Sequence, residues 1–220
     1  MKPYSRPSKR ELRNCLARRY GVSSHLSAQQ RFVSIYRPYY CPAAPILEQI
    51  PMGSKVLEVG CGSGPMLFLL REFRQISYGR GVDSNKKAID VAREANDDPA
   101  LQFDVRDALE LSREAFEEFD TILCFDLLHH IPPHDKATFL ARLIERMRPG
   151  SRLIVKDLDS RPRRKAFANR VTDYLSTRSR VSYWRRSELI GFFHSHGLSV
   201  RHDADLADWV WSHYMVIAEK

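Results

Sequence analysis

From residue 55 onward the chain alternates short apolar runs with amphipathic stretches, and this order constrains the fold more than any other feature of the sequence. The apolar runs are KVLEV, GRGVD, LQFDV, FDTILCF and RLIVK, and the segments between them have helical periodicity. Strands that alternate with helices form βαβ units, which place parallel strands in one sheet between two layers of helices. The sequence therefore predicts an α/β fold with helices on both faces of a mostly parallel sheet.

The C-terminal part departs from this alternation. Two strand-like runs, LSVRHDA and WSHYMVIAEK, follow each other with no room for a helix between them. A parallel pair needs a crossover of roughly a dozen residues or more, so a connection this short joins antiparallel strands. We expect the sheet to be mixed only at this end.

The N-terminal part is patterned as helices. A basic helix is predicted near Ser8–Tyr20 and a second at Ala28–Tyr40, closed off by Pro38, Pro42 and Pro45. We therefore divide the chain into a helical N-terminal extension, residues 1–50, with a lid role, and a main domain, residues 51–220. The main domain carries a basic insertion near residues 158–186.

The net charge of +8 is concentrated in two basic segments, residues 1–20 and 161–186. Such segments suit an acidic carrier protein or an anionic membrane surface, and solvated helix faces are the plainer alternative. Nucleic acid is a third class of partner for a basic chain. The sequence favours it less, because no recognisable nucleic-acid-binding module accompanies the α/β core.

The cysteines and the apolar runs bear on metal sites and on location. Cys15, Cys41, Cys61 and Cys124 are dispersed and form no C-x-x-C pair, which argues against a zinc module and a disulfide scaffold. No signal peptide is recognisable, and no apolar run approaches the roughly 18 residues of a membrane span. Free thiols are typical of a reducing compartment, so we predict a cytoplasmic protein. From the cysteine spacing we predict no metal site.

A glycine-rich loop, Gly60-Cys61-Gly62-Ser63-Gly64, joins the first strand to the next helix. Glycines in this place permit positive φ and let a ligand approach the backbone. A P-loop is excluded because no Gly-Lys-Ser/Thr follows. A nicotinamide dinucleotide site normally has its third glycine one residue later, and Glu58 before the loop is poorly matched to a pyrophosphate. That carboxylate suits a cationic ligand.

Carboxylates follow or end each of the first four predicted strands: Glu58, Asp83, Asp107 and Asp126. Open α/β sheets bind ligands along the carboxyl ends of their strands, and Asp83 suits the two hydroxyls of a ribose. A helix N-cap explains any single one of them. The four together predict a binding crevice for a nucleoside.

These motifs in combination resemble the class I S-adenosylmethionine-dependent methyltransferases of the small-molecule type. The resemblance covers roughly Leu47–Val155, and Arg148-Pro149-Gly150 is similar to the K/R-P-G turn of that family. Glu58 stands where that family more often has Asp. The resemblance implies a Rossmann-like, seven-stranded sheet in which the last strand is inserted antiparallel.

The resemblance also implies S-adenosyl-L-methionine as the cofactor. In that family the loop positions cradle the methionine part, the position of Asp83 binds the ribose, and the positions of Asp107 and Ala108 face the adenine. The cofactor-binding residues carried over are Glu58, Gly60, Cys61, Gly62, Gly64, Asp83, Ser84, Asp107, Ala108, Phe125 and Asp126.

Methyl transfer is an in-line displacement, so an enzyme mainly holds donor and acceptor close together and in line. A hydroxyl acceptor gains from a general base within hydrogen-bond reach. The first candidate is His130, just past the fourth strand, although shaping that loop is an alternative role. Asp157, at the end of the fifth strand, is the second candidate, and His213 on the last strand is the weakest.

The acceptor is left open among several classes. A small molecule, aromatic or acyl-chain-like and presented on an acidic carrier or a membrane, is the leading hypothesis. An RNA or DNA methyltransferase is the runner-up hypothesis. It is disfavoured because the Asp/Asn-Pro-Pro-aromatic run of N-methylating enzymes is missing after the fourth strand. A non-catalytic protein that binds S-adenosylmethionine is the third alternative.

VKDLDSRPRRK and SYWRRSEL have a loose likeness to methyltransferases of aryl-polyene and fatty-acid pathways. An aromatic lid over a flat or lipid-like acceptor is predicted, with ordinary core packing as the alternative for half of its residues: Tyr36, Tyr39, Tyr40, Tyr183, Trp184 and Trp209.

Overall fold

A computed structural model describes residues 5–21, 23–160, 182–206 and 212–220. The chain forms two compact units, Met1–Ala108 and Leu109–Lys220, and each is described here by itself. Most of the predicted basic insertion, and Trp209 of the predicted lid, lie outside the described residues.

The first unit begins with helices and continues as three parallel strands joined by helices. Strand β1 pairs in parallel with β2, and β2 pairs in parallel with β3. The helices are α1 (Lys9–Tyr20), α2 (Ala28–Tyr36), α3 (Ala44–Gln49), α4 (Pro65–Arg74) and α5 (Lys86–Glu94), with a 3₁₀ turn at Arg37–Tyr39; the strands are β1 (Lys55–Val59), β2 (Tyr78–Asp83) and β3 (Leu101–Val105).

The second unit contains four strands. Strand β4 pairs in parallel with β5, while β7 is antiparallel to both β5 and β6. Its helices are α6 (Arg113–Glu117), α7 (Lys136–Arg146) and α8 (Arg186–Ser195), with a 3₁₀ turn at Leu128–His130; its strands are β4 (Thr121–Phe125), β5 (Arg152–Leu158), β6 (Ser199–Asp205) and β7 (His213–Glu219).

The sheet has seven strands in the order β3-β2-β1-β4-β5-β7-β6. The prediction of a Rossmann-like, mostly parallel sheet with the last strand antiparallel is confirmed. Strand β5 is buried along nearly its whole length, as expected of a strand covered on both faces. The chain therefore places β7, its final strand, between β5 and β6 rather than at the edge.

Helix α1 forms as the sequence predicts, because its first turn is capped and one of its faces is apolar. The Ser8 side chain accepts a hydrogen bond from the Glu11 amide, and the Glu11 carboxylate accepts one from the Ser8 amide, which completes a capping box. The buried positions follow helical spacing: Leu12, Cys15, Leu16 and Tyr20.

The second predicted helix is shorter than expected. We predicted Ala28–Tyr40, whereas α2 ends at Tyr36 and the chain continues as a 3₁₀ turn. Pro38 explains the difference, because its ring disfavours helical geometry at the preceding residue and it has no amide hydrogen to donate.

Two further features concern membranes and thiols. Within the described ranges, no helix combines the length and the apolarity that crossing a bilayer requires. All four cysteines are buried.

Candidate functional site

The glycine loop after β1 is tied to the end of β2 by main-chain hydrogen bonds. The amides of Gly60 and Cys61 both donate to the Val82 carbonyl, at 2.8 and 3.2 Å, and the Gly64 amide donates to the Cys61 carbonyl at 2.9 Å. Gly60, Gly62 and Gly64 have φ values of 71°, 55° and 82°. The predicted positive φ of the loop is therefore present at all three glycines.

The space around these glycines differs. A Cβ added at Gly64 would lie 2.5 Å from Cε1 of Phe103, inside the protein, whereas a Cβ added at Gly62 would meet nothing within 4 Å. Gly62 thus leaves an open surface over the loop backbone, which is the kind of surface a ligand needs for close approach.

The neighbouring Cys61 is buried. A Cβ at Gly81 in β2 would lie 2.7 Å from the Cys61 sulfur, so the thiol fills space that the missing side chain leaves. Burial, reinforced by the nearby Glu58 and Asp83 carboxylates, raises the pKa of the Cys61 thiol well above its ordinary value. A neutral, buried thiol packs the loop and is a poor nucleophile.

Asp83 at the end of β2 connects the loop to the next helix. Its Oδ2 accepts a hydrogen bond from the Gly62 amide at 2.8 Å, and its Oδ1 accepts one from the Asn85 amide at 2.8 Å. A carboxylate oxygen can accept more than one hydrogen bond, so Asp83 can also bind further donors such as ribose hydroxyls while it keeps the two bonds to Gly62 and Asn85. The adjacent Ser84 is exposed.

The other cofactor residues predicted in this unit lie near the same strand ends. Glu58 is buried near the end of β1. Beyond β3, Asp107 is exposed and Ala108 is buried. The Arg106 amide donates to the Asp83 carbonyl at 3.0 Å, which holds the ends of β2 and β3 together. The structure therefore brings the predicted residues of β1, β2 and β3 to one edge of these parallel strands.

A residue that the sequence analysis missed also contacts the loop. Tyr20, the last residue of α1, is fully buried, and its hydroxyl donates to the Ser63 carbonyl at 2.9 Å. Its ring packs edge-on against Phe68 of α4, with centroids 5.9 Å apart. The apolar spacing of Leu12, Leu16 and Tyr20 in α1 was the available signal.

In the second unit, Phe125 ends β4 and Asp126 follows it, beside a buried lysine. Asp126 has a φ of 55°, an uncommon value for a residue other than glycine. Its amide donates to the Lys156 carbonyl at 2.9 Å, and its carboxylate forms a salt bridge with the Lys156 ammonium. That ammonium lies 4.8 Å from the Phe125 ring centroid. Asp126 therefore neutralises a buried charge. A lysine inside the apolar run RLIVK was the signal for this pair.

Asp157 at the end of β5 meets His129. The His129 Nδ1 lies 2.5 Å from the Asp157 Oδ1, and the His129 amide donates to Oδ2 at 3.0 Å. Both side chains are buried. Burial acts to raise the pKa of Asp157, but the charge and hydrogen bond of His129 outweigh it, so the pKa lies below its ordinary value.

His130, the predicted base, occupies a different position. It is exposed, and its ring centroid lies 4.1 Å from that of His129. The 3₁₀ turn Leu128–His130 sets these orientations, because it turns one histidine toward β5 and its neighbour toward solvent. The two candidates of the sequence analysis, His130 and Asp157, are thus connected through a histidine that was not singled out.

Other polar side chains are buried around this pair. The Lys136 ammonium donates to the Ser182 carbonyl, and the Ser182 amide donates to the His129 carbonyl at 3.2 Å. Burial lowers the pKa of Lys136 to about 8, although the Asp157 and Glu188 charges oppose the shift. His213 is buried on β7. Among the residues with described positions, no cluster of histidine, cysteine and acidic side chains is arranged to hold a metal ion.

Comparison with known proteins identifies the family. A family described as "Methyltransferase domain" matches residues 34–203, which is most of the chain. The chain is a class I S-adenosylmethionine-dependent methyltransferase. The resemblance based on the loop and the strand-end carboxylates is thereby confirmed.

The matches between this methyltransferase and its sequence relatives cover only part of each relative. The ubiquinone biosynthesis O-methyltransferase of Stutzerimonas stutzeri is 27% identical over 68% of this chain and 66% of the relative. The phthiotriol/phenolphthiotriol dimycocerosates methyltransferase 1 of Mycobacterium ulcerans is 36% identical over 48% of this chain and 38% of the relative. The chain thus spans less than two thirds of the length of these relatives.

Solved structures match more completely. Magnesium protoporphyrin IX methyltransferase from Synechocystis, with bound S-adenosylhomocysteine (SAH), has a TM-score of 0.66 at 15% identity, and the match covers 94% of this chain and 93% of that one. A methyltransferase from Mesorhizobium loti has a TM-score of 0.64 at 15% identity, over 80% and 96% of the two chains. At these identities the likeness concerns the fold.

The methyltransferase uses S-adenosylmethionine. When bound, this cofactor supplies an electrophilic methyl group on a sulfonium. The residues of the first unit fit it in chemistry, because Gly62 leaves the loop backbone open and Asp83 retains acceptor capacity for hydroxyl groups. The buried Glu58 carboxylate suits a ligand that carries positive charge.

Proposed function

We propose that this methyltransferase methylates a hydroxyl oxygen of a small molecule, aromatic or acyl-chain-like, and that His129 is the general base. The observation that carries the proposal is the buried pair of His129 and Asp157, with 2.5 Å between Nδ1 and Oδ1. A carboxylate that orients an imidazole is a recurring arrangement for removing a proton from a hydroxyl.

The pair sets the tautomer that the base requires. Asp157 has a lowered pKa and is therefore ionised at neutral pH. An ionised carboxylate accepts a hydrogen bond from Nδ1–H, which leaves the lone pair of the neutral imidazole on Nε2. The acceptor hydroxyl gives its proton to Nε2 while its oxygen forms the new bond to the methyl carbon. A positioned base of this kind contributes about 10²- to 10⁴-fold to the rate.

The surroundings of the pair favour a small aromatic acceptor over nucleic acid. The buried Tyr183 ring lies 6.0 Å from the His129 ring, centroid to centroid, so the proposed base has an aromatic neighbour. Strand β4 is followed by Asp126-Leu127-Leu128-His129, which differs from the Asp/Asn-Pro-Pro-aromatic run of enzymes that methylate amino groups of bases. One relative is named an O-methyltransferase.

The test compares three variants on a panel of phenols, catechols, hydroxylated acyl chains and RNA. With a phenolic or hydroxyl acceptor, His129→Gln and Asp157→Asn each lower kcat by about 10²- to 10⁴-fold, and His130→Gln changes it only a few-fold. His130→Gln is the matched control, because it removes the neighbouring exposed imidazole. Calorimetry with SAH and thermal melts establish that each variant is folded and binds the cofactor.

The pH profile distinguishes a base from a structural histidine. In the wild type, kcat/KM falls at acid pH as the base becomes protonated, and this limb disappears in His129→Gln. If His130→Gln is the impaired variant, the base is His130 instead. Methylation of RNA alone, with no hydroxyl acceptor turned over, would contradict the proposal.

A further inference from the structure

Helix α2 and the turn after it present apolar side chains to solvent. None of the nine residues of α2 is buried. Phe32 and Val33 are 61% and 49% exposed, and Tyr39 in the 3₁₀ turn is 45% exposed. The Phe32 and Tyr36 rings stack with centroids 4.4 Å apart, and Tyr36 lies 5.9 Å from Tyr39. We call Phe32, Val33, Tyr36 and Tyr39 the N-terminal ridge.

Basic side chains of α1 flank this ridge. The Lys9 ammonium donates to the Tyr39 carbonyl at 3.2 Å, and the Arg13 guanidinium lies 5.6 Å from the Tyr36 ring centroid. Arg10 on the same helix is exposed. The chain has no acidic residue between Glu11 and Glu48, so the whole segment that carries the ridge is free of negative side chains.

Other cations of the first basic segment serve the fold itself. Arg6 pairs with Glu48, Arg18 with Glu72 and Arg19 with Asp97. Lys9 and Arg13 instead contact Tyr39 and Tyr36 of the ridge, and Arg10 is exposed on the same helix. The positive charge of this segment is therefore divided between internal ion pairs and the border of the ridge.

We propose that the N-terminal ridge is a docking surface for an anionic lipid bilayer. Aromatic and apolar side chains with flanking lysine and arginine are the composition of surface-binding helices, in which the rings enter the headgroup region and the cations meet anionic lipids. A stable protein interface usually covers about 800 Å² on each partner. Three exposed apolar side chains are a small patch by that measure, whereas a bilayer accepts them one by one.

The ridge and the cofactor loop belong to the same unit. Helix α1, which carries Lys9 and Arg13 beside the ridge, ends at Tyr20, whose hydroxyl donates to the Ser63 carbonyl in the glycine loop. Docking through the ridge therefore holds the cofactor-binding unit at the bilayer surface. This inference does not depend on which acceptor the enzyme methylates.

The test is co-sedimentation with phosphatidylcholine vesicles, with and without about one third phosphatidylglycerol. The wild type binds the anionic vesicles and binds pure phosphatidylcholine weakly. Phe32→Ser combined with Val33→Ser lowers the partition coefficient about tenfold or more, since two apolar side chains no longer leave water. The matched control is Met52→Ser, which removes an apolar side chain of comparable exposure outside the ridge.

A second pair of variants tests the charge. Arg10→Gln lowers partitioning into anionic vesicles about fivefold, while Lys87→Gln, an exposed lysine on α5, leaves it nearly unchanged. Thermal melts and calorimetry with SAH show that folding and cofactor binding are intact in each variant.

Several results would overturn the proposal. They are a wild type that binds no vesicles, equal binding to neutral and anionic vesicles, and equal binding by the Phe32/Val33 variant and Met52→Ser. A wild type that dimerises at working concentration, with the dimer lost in the Phe32/Val33 variant, would assign the ridge to a second copy of the chain instead. None of these results bears on the catalytic proposal, which is tested separately by the activity of the His129 and Asp157 variants.

Discussion

Gly62 and Gly64 share a left-handed backbone in the glycine loop but meet different surroundings. At Gly64 the space of a side chain is already occupied by the Phe103 ring, whereas at Gly62 it is open. Sequence alone assigns both to the same motif, and only the packing separates a glycine required by the core from one required by a ligand.

We expect substitution of Gly64 to affect mainly the stability of the fold and substitution of Gly62 to affect mainly cofactor binding. Gly64→Ala destabilises the fold by about 2–4 kcal/mol, because strain of the left-handed backbone adds to overpacking against Phe103. Gly62→Ala costs only the backbone strain, about 1–2 kcal/mol, yet places a methyl group on the surface where the cofactor approaches. Urea unfolding measures the first effect, and calorimetry with SAH measures the second. Similar unfolding losses in the two variants, with normal SAH binding in Gly62→Ala, would contradict this division.

His129 and His130 show the same principle for the residues proposed as a general base. They are adjacent and chemically identical, so no pattern in the sequence distinguishes them. The 3₁₀ turn that contains them directs His129 to Asp157, which lies 28 residues further along the chain. From the sequence, His130 and Asp157 were the candidate bases, whereas the structure shows that His129, and not His130, contacts Asp157.

Among the elements, α1 connects the N-terminal extension to the cofactor loop. Its apolar face packs inward, and its last residue, Tyr20, supports the loop through the hydrogen bond to the Ser63 carbonyl. We predicted the extension, residues 1–50, as a lid over the acceptor. The described contacts of α1 include the glycine loop and helix α4, and the lid role stays a prediction.

Tyr20→Phe tests the support from α1. Removing the hydroxyl leaves a buried carbonyl without this donor, so we expect a loss of about 0.5–1.5 kcal/mol in the free energy of unfolding. SAH binding weakens as well, because the loop is held less firmly. The matched control is Tyr78→Phe, whose hydroxyl bonds the Gln102 side chain at an exposed position on β2. If Tyr20→Phe lowers stability and leaves SAH affinity at the wild-type value, α1 supports the fold and not the loop.

At the scale of the whole molecule, two lysines among the described residues, Lys136 and Lys156, are buried where a charge is expensive. Lys156 meets the Asp126 carboxylate. Lys136 donates to the Ser182 carbonyl, a neutral partner, and burial lowers its pKa to about 8 from an ordinary value of 10.5. The depressed pKa means that the folded protein binds fewer protons than the unfolded chain between these two values.

The pH dependence of stability follows from that difference. Because the unfolded chain binds more protons between pH 8 and 10.5, the contribution of Lys136 to stability becomes more favourable as the pH rises through this range. We expect the unfolding free energy of the wild type, relative to Lys136→Met, to increase from pH 8 upward. Urea unfolding at several pH values measures it, with Lys87→Met as the surface control. A difference that is flat or falls with pH would show that Lys136 keeps its proton in the folded protein.

Local pattern in the sequence determined the strand and helix order, the glycine loop, and the carboxylates at the ends of the strands. These features follow from periodicity and backbone geometry over a few residues, and the family and its cofactor follow from their combination. The order of the strands in the sheet was not determined by local pattern, because the spacing of the segments does not show that β7 lies between β5 and β6.

The tertiary structure decided which distant residues meet. His129 contacts Asp157, Asp126 pairs with Lys156 and Tyr20 contacts Ser63, over separations of 28, 30 and 43 residues along the chain. The exposure of α2 likewise depends on what packs beside it. Sequence periodicity records that a helix or strand has an apolar face, but the partner of that face is set by the packing of the chain as a whole.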